Sequence, residues 1–445
     1  MAKKTLDQLP MKGKRVLIRV DFNVPLDENG NVTDDRRIRM ALPTIKCAAA
    51  AGGRVILMSH LGRPDGQRVE SMSLKPTAAC LSRLLGSDVT FAPDCIGPEV
   101  EKMAAALKDG EILVLENLRF HPGEETSAPD CTGPEVEQMV GAMKDGEILV
   151  LENLRFHAGE EANDPAFAAA LRNLADLYVN DAFGTAHRKH ASTYGVPAQM
   201  PKGTRAVGFL IEKELKFLGE ALEKPVRPFV AVLGGAKVSD KIAVIENLLG
   251  KCDRLLIGGA MAYVFMAARG QKVGKSKVER EVKKKDGSKK DMIAVAAKLL
   301  EKIKAAKCEV LFPVDHLVAK AFAADAETDV QSPDIQDGWI GLDIGPETID
   351  LYREKLADAK TVVWNGPMGV FEMAPFAEGS KALCDAMARI AERGATVVVG
   401  GGDTAAAVEK FGLAEKMTHI STGGGASLEF LEGKPFETIN ILDDA

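Results

Sequence analysis

The sequence predicts an α/β protein made of two doubly wound, Rossmann-like parallel-sheet domains joined by a helix. Short apolar runs rich in β-branched residues alternate with longer helical patterns along the whole chain. Several of these runs are apolar without alternation, which is typical of strands buried on both faces of a parallel sheet. At 445 residues the chain is long for a single hydrophobic core, so we expect two domains.

The predicted strands are followed by helices in a regular alternation, which favours parallel sheets. The clearest strand patterns cover residues 15–20, 54–58, 112–115, 148–151, 177–179, 229–233, 255–257, 310–312, 361–364 and 395–399. The clearest helical patterns between them cover residues 239–249, 292–305 and 381–393. Sheets of this kind bind ligands beyond the carboxyl ends of their strands.

A longer helical pattern, Gly203–Lys224, ends at Pro225 and divides the chain. We predict an N-terminal domain over residues 1–203, a connecting helix over 204–224 and a C-terminal domain over 225–420. An ordinary surface helix is the alternative interpretation of this segment.

Composition excludes several classes of function. The formal net charge of −7 argues against a general nucleic-acid or anionic-membrane binder. No apolar stretch approaches the roughly 20 residues needed to span a bilayer, and the first residues lack the apolar core of a signal peptide. The seven cysteines are scattered without CxxC pairs, so we expect reduced thiols in a cytoplasmic protein and no zinc site.

Glycines and basic residues are divided between the two halves of the chain. In the C-terminal half, glycine clusters follow apolar runs at 234–235, 258–259, 400–402 and 423–425. Glycine turns that open helices present backbone N–H groups to phosphates. In the N-terminal half, His and Arg residues follow apolar runs instead, at His60 and Arg63, Arg119 and His121, Arg155 and His157, and His187 and Arg188. Arginine binds phosphate and carboxylate groups, so the N-terminal half would bind a small anionic substrate and the C-terminal half a nucleotide. This division indicates a kinase.

The N-terminal half contains an internal repeat. Residues 92–127 and 128–163 are identical at 28 of 36 positions, and each copy reads as one helix followed by one strand. Two copies are too few for a solenoid. We therefore interpret the repeat as a tandem duplication, in which one copy occupies the sheet and the other is extra.

A lysine-rich run covers residues 275–291. Its charge and its Gly-Ser turn are typical of a solvated loop or an extension of a helix end.

Six segments in a fixed order identify the chain as similar to a known family. Three follow predicted strands in the N-terminal half: Arg19–Pro25, Ser59–Pro64 and Asn180–Arg188. Three lie in the C-terminal half: Leu233–Lys241, Trp364–Glu372 and Gly400–Thr404. Together they closely resemble phosphoglycerate kinase. The resemblance runs from about Leu6 to Leu442 and is interrupted only by the repeat and the lysine-rich run.

The resemblance implies two α/β domains of similar size, with a final segment, residues 421–445, that returns to the N-terminal domain. It also implies reversible phosphoryl transfer between 1,3-bisphosphoglycerate with MgADP and 3-phosphoglycerate with MgATP, a reaction of glycolysis. Because the two sets of anion-binding residues lie on opposite sides of the Gly203–Lys224 segment in the sequence, we also expect the two domains to close around their substrates.

The family motifs imply roles for individual residues. Those expected to bind 3-phosphoglycerate are Asp21, Asn23, Arg37, His60, Arg63, Arg188 and either Arg119 or Arg155. Those expected to bind the nucleotide are Gly235, Lys237, Lys241, Gly259, Gly341, Asn365, Glu372, Gly401, Gly402, Asp403 and Thr404. Asp403 is expected to contact Mg²⁺, and Arg37, Lys237 and Gly402 are expected to act in catalysis.

The repeat is a departure from the family pattern. Arg119 and Arg155 lie in the same Leu-Glu-Asn-Leu-Arg-Phe-His motif, and only one of them can take the family's phosphate-binding position. The second copy continues into Glu160-Glu161-Ala162-Asn163-Asp164-Pro165 as the family does, which favours Arg155. The other copy would then be an insertion of 36 residues at the mouth of the substrate site.

Two functional hypotheses follow. One is an active phosphoglycerate kinase that acts on small molecules as a cytoplasmic monomer, with no nucleic-acid or membrane partner. The other is a protein of the same fold that binds nucleotide but catalyses poorly, because the duplicated segment obstructs the substrate site. A dinucleotide-dependent enzyme is a remote third hypothesis, since the chain lacks a GxGxxG motif near the start of a βαβ unit.

Overall fold

The chain folds into two compact units, each built around a six-stranded parallel sheet. The computed structural model describes residues 2–63, 69–91, 140–141, 143, 148–151, 153–283 and 287–445. One unit comprises Met1–Glu214 with Pro435–Ala445, and the other comprises Leu215–Lys434. The prediction of two doubly wound parallel-sheet domains is confirmed. Among the helices of the described residues, none is both long and apolar enough to cross a membrane.

The sheet of the first unit has the order β3-β4-β2-β1-β5-β6. Its strands are β1 (Arg15–Val20), β2 (Arg54–Met58), β3 (Thr90–Phe91), β4 (Ile148–Val150), β5 (Leu177–Asp181) and β6 (Arg205–Val207). Its helices are Arg36–Ala50, Lys75–Leu85, Ala158–Ala162, Pro165–Asn173, Val196–Gln199, Phe209–Glu214 and Glu437–Asn440. The strands carry apolar side chains on both faces, which places the core of the unit on either side of the sheet.

The strand of the second repeat copy lies inside this sheet. Ile148 and Val150 of β4 are in register with Val55 and Leu57 of β2, and Leu149 is in register with Thr90 of β3. The copy 92–127, with the predicted strand 112–115, lies outside the described residues. The sheet position between β2 and β3 is therefore occupied by residues 148–150.

The second unit contains one large sheet and two smaller ones. Its strands are β7 (Phe229–Leu233), β8 (Arg254–Ile257), β9 (Glu281–Lys283), β10 (Lys289–Asp291), β11 (Glu309–Leu311), β12 (His316–Ala319), β13 (Thr328–Gln331), β14 (Ile340–Ile344), β15 (Thr361–Asn365), β16 (Thr396–Gly400) and β17 (His419–Ile420). The parallel sheet has the order β11-β8-β7-β15-β16-β17, an antiparallel sheet has the order β13-β12-β14, and β9 pairs with β10.

Helices cover the faces of the large sheet. They are Glu220–Glu223, Ile242–Leu249, Ala262–Ala268, Met292–Ala305, Pro346–Leu356, Glu378–Glu392, Gly402–Lys410 and Gly425–Leu431. The core between them is built from central strand residues such as Val230, Val362 and Val397, all fully buried.

The helix predicted over residues 203–224 begins later than expected. Residues 205–207 form strand β6, and the helix begins at Phe209, continues as π-helix over Leu215–Gly219 and ends at Glu223. The reason is a cap provided by β5: the Asp181 carboxylate accepts hydrogen bonds from the amides of Leu210 (2.9 Å) and Ile211 (3.2 Å). The boundary between the two compact units follows Glu214, within this helix, and Pro435–Ala445 group with the first unit.

The lysine-rich run is not the loop or helix extension that we expected. Within it, residues 281–283 (β9) and 289–291 (β10) form an antiparallel strand pair, while residues 284–286 lie outside the described residues. Lys289 pairs with Glu281 across the strands at 2.6 Å, which offsets the repulsion among the lysines. Its strand residues are largely exposed to solvent, as the sequence predicts.

The buried Asp181, whose carboxyl caps the helix that begins at Phe209, can be tested through its pKa. Burial raises the pKa of its carboxyl from 3.8 to about 7, so the folded state keeps a proton that the unfolded chain loses near pH 4. The contribution of Asp181 to stability should therefore fall as pH rises from 4 to 7. Asn at this position keeps an acceptor oxygen without the charge, so Asp181→Asn should gain roughly 2–4 kcal/mol relative to the parent protein across that range. Thermal unfolding at each pH measures the difference.

Asp176→Asn is the control. The hydrogen bond from Arg15 lowers the pKa of Asp176, so its stabilising effect is complete above pH 4. The difference between this variant and the parent should stay constant between pH 5 and 7. A constant difference for Asp181→Asn as well would contradict the buried-carboxyl interpretation.

Candidate functional site

The first candidate cluster lies at the carboxyl ends of β1 and β2. Asp21 follows β1 and accepts a hydrogen bond from the Arg37 guanidinium at 2.6 Å. The Asn23 side-chain oxygen accepts a hydrogen bond at 2.9 Å from the amide of Gly62, in the segment after β2. The predicted residues Asp21, Asn23 and Arg37 are thus held by the ends of two neighbouring strands and by the first turn of the helix Arg36–Ala50.

Arg155 joins this cluster from the end of β4. Its guanidinium donates to the carbonyl of Gly62 at 3.3 Å and pairs with Glu161 at 3.3 Å. The preceding Asn153 anchors the segment by donating to the carbonyl of Leu61 at 2.7 Å. Burial lowers the pKa of Arg155, whose side chain is 6 % exposed. The structure therefore places Arg155 against the same Gly62 loop that Asn23 contacts.

His60 lies beneath the cluster in a buried polar network that sequence reasoning missed. Arg19, in the central strand β1, donates to Nδ1 of His60 (3.1 Å) and to the hydroxyl of Ser192 (2.9 Å). Ser192 donates through its hydroxyl (2.5 Å) and its amide (2.8 Å) to the carboxyl of Glu160, which is fully buried. Burial, with Arg19, lowers the pKa of His60 well below its usual value, and burial raises the pKa of Glu160. His60 is therefore a neutral imidazole whose Nδ1 is an acceptor.

Arg19, a charged residue between Ile18 and Val20 in the central strand β1, is the signal that could have pointed to this network. Arg19 is fully buried in β1, and an arginine in such a position requires polar partners. Its partners come from segments 41 and 173 residues away, so the pairing itself is not readable from local sequence.

The remaining predicted residues of the first unit are more peripheral. Arg188 is half-buried and donates to the His187 ring at 3.1 Å. Arg63 is exposed and directly precedes residues 64–68, which lie outside the described residues. Arg119 also lies outside the described residues.

The second candidate site is a cleft of about 280 Å³ in the second unit. Five predicted residues line it: Gly235, Gly259, Gly341, Glu372 and Asp403. The sequence did not point to its apolar wall, which includes Tyr263, Phe322, Leu342 and Met368. Phe322 is 60 % exposed although it is a large aromatic residue, and such a side chain in an alanine-rich loop could have served as a signal.

Three glycine turns approach each other closely at this cleft. The amide of Gly235 donates to the Pro367 carbonyl (2.9 Å), and that of Gly259 donates to the Met368 carbonyl (3.1 Å). A Cβ atom on Gly259 would lie 2.5 Å from the Gly235 amide nitrogen, and the φ of Gly259 is +65°. Only glycine allows this approach of backbone to backbone.

Lys241 and Asn365 form a buried pair next to these turns. The Lys241 ammonium donates to the side-chain oxygen of Asn365, and both side chains are almost fully buried. Burial lowers the pKa of Lys241 to about 8. Lys237, by contrast, is exposed on the turn that follows β7.

The turn after β16 opens the helix Gly402–Lys410. Gly401 adopts a φ of +87° as the residue before the helix, and Thr404 accepts a hydrogen bond from the Gly366 amide at 2.7 Å. The helix N-terminus therefore presents Gly402 and Asp403, both exposed, next to the turn that follows β15. Such a terminus carries a partial positive charge and backbone donors, which favours anions.

Comparisons with known proteins identify the family of the chain. The family model described as "Phosphoglycerate kinase" matches residues 6–130 and 126–434. The chain belongs to the phosphoglycerate kinase family. Proteins named phosphoglycerate kinase from Chloroherpeton thalassium and from Anaeromyxobacter sp. are each 51 % identical over 446 residues, covering 100 % of both chains.

Solved structures give the same result. The phosphoglycerate kinase from Coxiella burnetii matches with a TM-score of 0.78 and 37 % identity, covering 98 % of each chain. The phosphoglycerate kinase from Pyrococcus horikoshii matches with a TM-score of 0.73 and 31 % identity, covering 99 % of this chain and 98 % of that one. Each of these matches covers nearly the whole chain.

The glycine turns of this kinase-family cleft make a testable contrast. Gly259→Ala introduces a Cβ at a positive φ against the Gly235 backbone, so it should lower the free energy of unfolding by about 1–3 kcal/mol. Gly402→Ala meets nothing within 4 Å and should change it by less than about 1 kcal/mol. Urea unfolding of the two variants measures both values, and equal losses would rule out close backbone approach as the reason for Gly259.

Proposed function

We propose that this chain catalyses reversible phosphoryl transfer between 1,3-bisphosphoglycerate with MgADP and 3-phosphoglycerate with MgATP. The main support is that the chain belongs to this kinase family and contains two chemically distinct candidate sites. One is the basic cluster around the Gly62 loop, and the other is the glycine-lined cleft of the second unit.

The first unit would bind 3-phosphoglycerate, which carries a carboxylate, a hydroxyl and a phosphate. Arg37 and Arg155 provide positive charge, and the Asp21 and Asn23 side chains provide oxygens that can accept from the hydroxyl. Neutral His60 can donate a hydrogen bond through Nε2, because Nδ1 accepts from Arg19. Arg63 and Arg188 would add phosphate contacts at the edge of this set.

The second unit would bind the nucleotide. The apolar wall formed by Tyr263, Phe322 and Met368 suits a purine ring, and Glu372 offers a carboxylate to ribose hydroxyls. Gly235, Gly259, Gly341 and Gly401 let the backbone come close to the ligand, while Lys237, Lys241, Asn365 and Thr404 would complete the binding of the phosphates.

The residues present fit a Mg²⁺ ion that arrives with the nucleotide. Asp403 is an exposed carboxylate at the N-terminus of the helix Gly402–Lys410 and lines the cleft. Among the described residues, no group of three or more His, Cys, Asp or Glu side chains is placed to hold a metal ion. Mg²⁺ commonly binds through one or two carboxylates, substrate phosphates and water, so a single carboxylate is sufficient. The ion would neutralise phosphate charge.

Catalysis would rest on positioning and on charge neutralisation. The acceptor is a carboxylate, which is ionised at neutral pH, so no general base is needed. Lys237, Arg37 and the Gly402 amide can stabilise negative charge on the phosphoryl group as it is transferred.

The repeat is best interpreted as a duplication within an ordinary family member. The family model is matched in two parts that overlap at residues 126–130, where the copies meet. With residues 148–150 in the sheet, Arg155 is our candidate for the family's phosphate-binding arginine. The alternative function, nucleotide binding with impaired catalysis, rests on the sequence of the other copy, residues 92–127, which lies outside the described residues. We also propose a cytoplasmic monomer that acts on these small molecules alone.

Lys237→Ala tests the proposed chemistry. It should lower kcat by about 10²-fold or more, because it removes a positive charge next to the transferring phosphoryl group. ADP formation from MgATP and 3-phosphoglycerate in a coupled assay measures the rate. Lys360→Ala, an exposed lysine before β15, is the control and should keep the parent rate. A near-normal rate for Lys237→Ala would remove this residue from the mechanism.

Arg155→Ala and Arg119→Ala test which repeat copy serves the substrate. Arg155→Ala should lower kcat/KM for 3-phosphoglycerate by about 10²-fold, whereas Arg119→Ala should leave it unchanged. The double variant should match Arg155→Ala. If Arg119→Ala alone abolishes turnover, the copies are assigned the wrong way round. If each single variant is partly active and only the double variant is inactive, both copies serve the site.

A further inference from the structure

Two cysteines of the second unit lie in contact. The sulfur atoms of Cys252 and Cys308 are 3.4 Å apart, and the two residues are 6 % and 7 % exposed. Cys252 precedes β8 by two residues, and Cys308 directly precedes β11, the edge strand next to β8. The pair therefore links the starting ends of two neighbouring strands.

The backbone around both cysteines is held in place. The Cys252 amide donates to the Leu248 carbonyl at 2.9 Å, and the Cys252 sulfur lies 3.1 Å from the same oxygen, at the end of the helix Ile242–Leu249. The Glu309 amide donates to the Asp253 carbonyl at 2.9 Å, which ties the residue after Cys308 to the residue after Cys252. Because a disulfide bond is about 2.0 Å long, the sulfurs at 3.4 Å need to approach by roughly 1.4 Å.

The two thiols differ in character. The hydrogen bond from Cys252 stabilises the thiolate of Cys308 and lowers its pKa. The same hydrogen bond, with burial, raises the pKa of Cys252. Cys308 also lies between exposed residues, Lys307 and Glu309, on the edge strand, so a small oxidant can reach it more readily than a fully enclosed thiol.

We propose that Cys252 and Cys308 form a reversible intramolecular disulfide when the protein meets a peroxide. The Cys308 thiolate attacks one peroxide oxygen, the O–O bond breaks, and the released hydroxide takes up a proton to give water and a Cys308 sulfenic acid. The Cys252 sulfur then attacks the Cys308 sulfur, the S–O bond breaks, and the oxygen leaves as water with the Cys252 proton. In total, two thiols lose two electrons and two protons, and hydrogen peroxide is reduced to two water molecules.

The cross-link would stabilise the edge of the sheet without occupying the cleft. It joins residues 56 positions apart, so it restricts the unfolded chain over a long loop. Both cysteines precede their strands, whereas Gly258 and Gly259 of the cleft follow β8 at its other end. We expect a higher Tm and an unchanged affinity for MgADP. This inference is independent of the proposed catalytic function.

Peptide mapping of the oxidised full-length chain tests the proposal. The reduced protein is treated with hydrogen peroxide, the remaining thiols are blocked with N-ethylmaleimide, and trypsin is used without reductant. The predicted product links the peptide 252–254 to the peptide 308–320, with the loss of two hydrogen atoms, and dithiothreitol reverses it. The Tm of the oxidised protein should rise by about 5 °C or more.

Serine variants provide the matched controls. Cys252→Ser and Cys308→Ser should each abolish the linked peptide, and Cys252→Ser should leave a Cys308 sulfenic acid that dimedone traps. Cys384→Ser, which removes another buried free thiol of the same unit, should retain the link. The proposal is overturned if, in the unsubstituted chain, the two cysteines become sulfinic acids, bond to other cysteines or remain thiols while other cysteines oxidise. A link that leaves Tm unchanged overturns the stabilising role.

Discussion

Parallel strand pairing is the constraint on which both candidate sites depend. All strands of a parallel sheet end at the same edge, so segments that are distant in sequence meet there. In the first unit, β1, β2 and β4 end next to Asp21, His60 and Arg155. In the second unit, β7, β8, β15 and β16 end in the turns that carry the glycines. A change in the register between neighbouring strands would move these groups apart. The hydrogen-bonded strand pairing that forms the core therefore also sets the geometry of the sites.

The two proposed sites would bind anions in different ways. The first would use guanidinium groups, next to a buried network in which Arg19 donates to Ser192 and Ser192 donates to Glu160. A buried arginine without polar partners would be costly. The second would use backbone amides, which need close approach and therefore glycine at positions such as Gly259. Side-chain charge suits a small substrate, and backbone donors suit a chain of phosphates.

Sequence reasoning recovered what is local and periodic. The bounds of β1, β2 and β7 match the predicted runs, because strands buried on both faces are mainly apolar without alternation. It failed where contacts with residues distant in sequence determine the local structure. The three residues of strand β6 carry too little pattern to be distinguished from the predicted helix, and the neighbouring strand β5 supplies the cap that starts the helix at Phe209. It could only lean towards Arg155 over Arg119, because their motifs are identical and the sheet accepts one strand at that place.

The division of binding between the units is tested most directly by amide NMR of the full-length protein, with each ligand titrated alone. Adding 3-phosphoglycerate should shift the resonances of Asn23, Gly62 and Arg155 and leave those of Gly235, Gly341 and Asp403 in place. Adding MgADP should do the reverse. If both ligands shift the same set of residues, or if 3-phosphoglycerate shifts no resonance of the first cluster, the assignment of substrate to the first unit and nucleotide to the second is wrong.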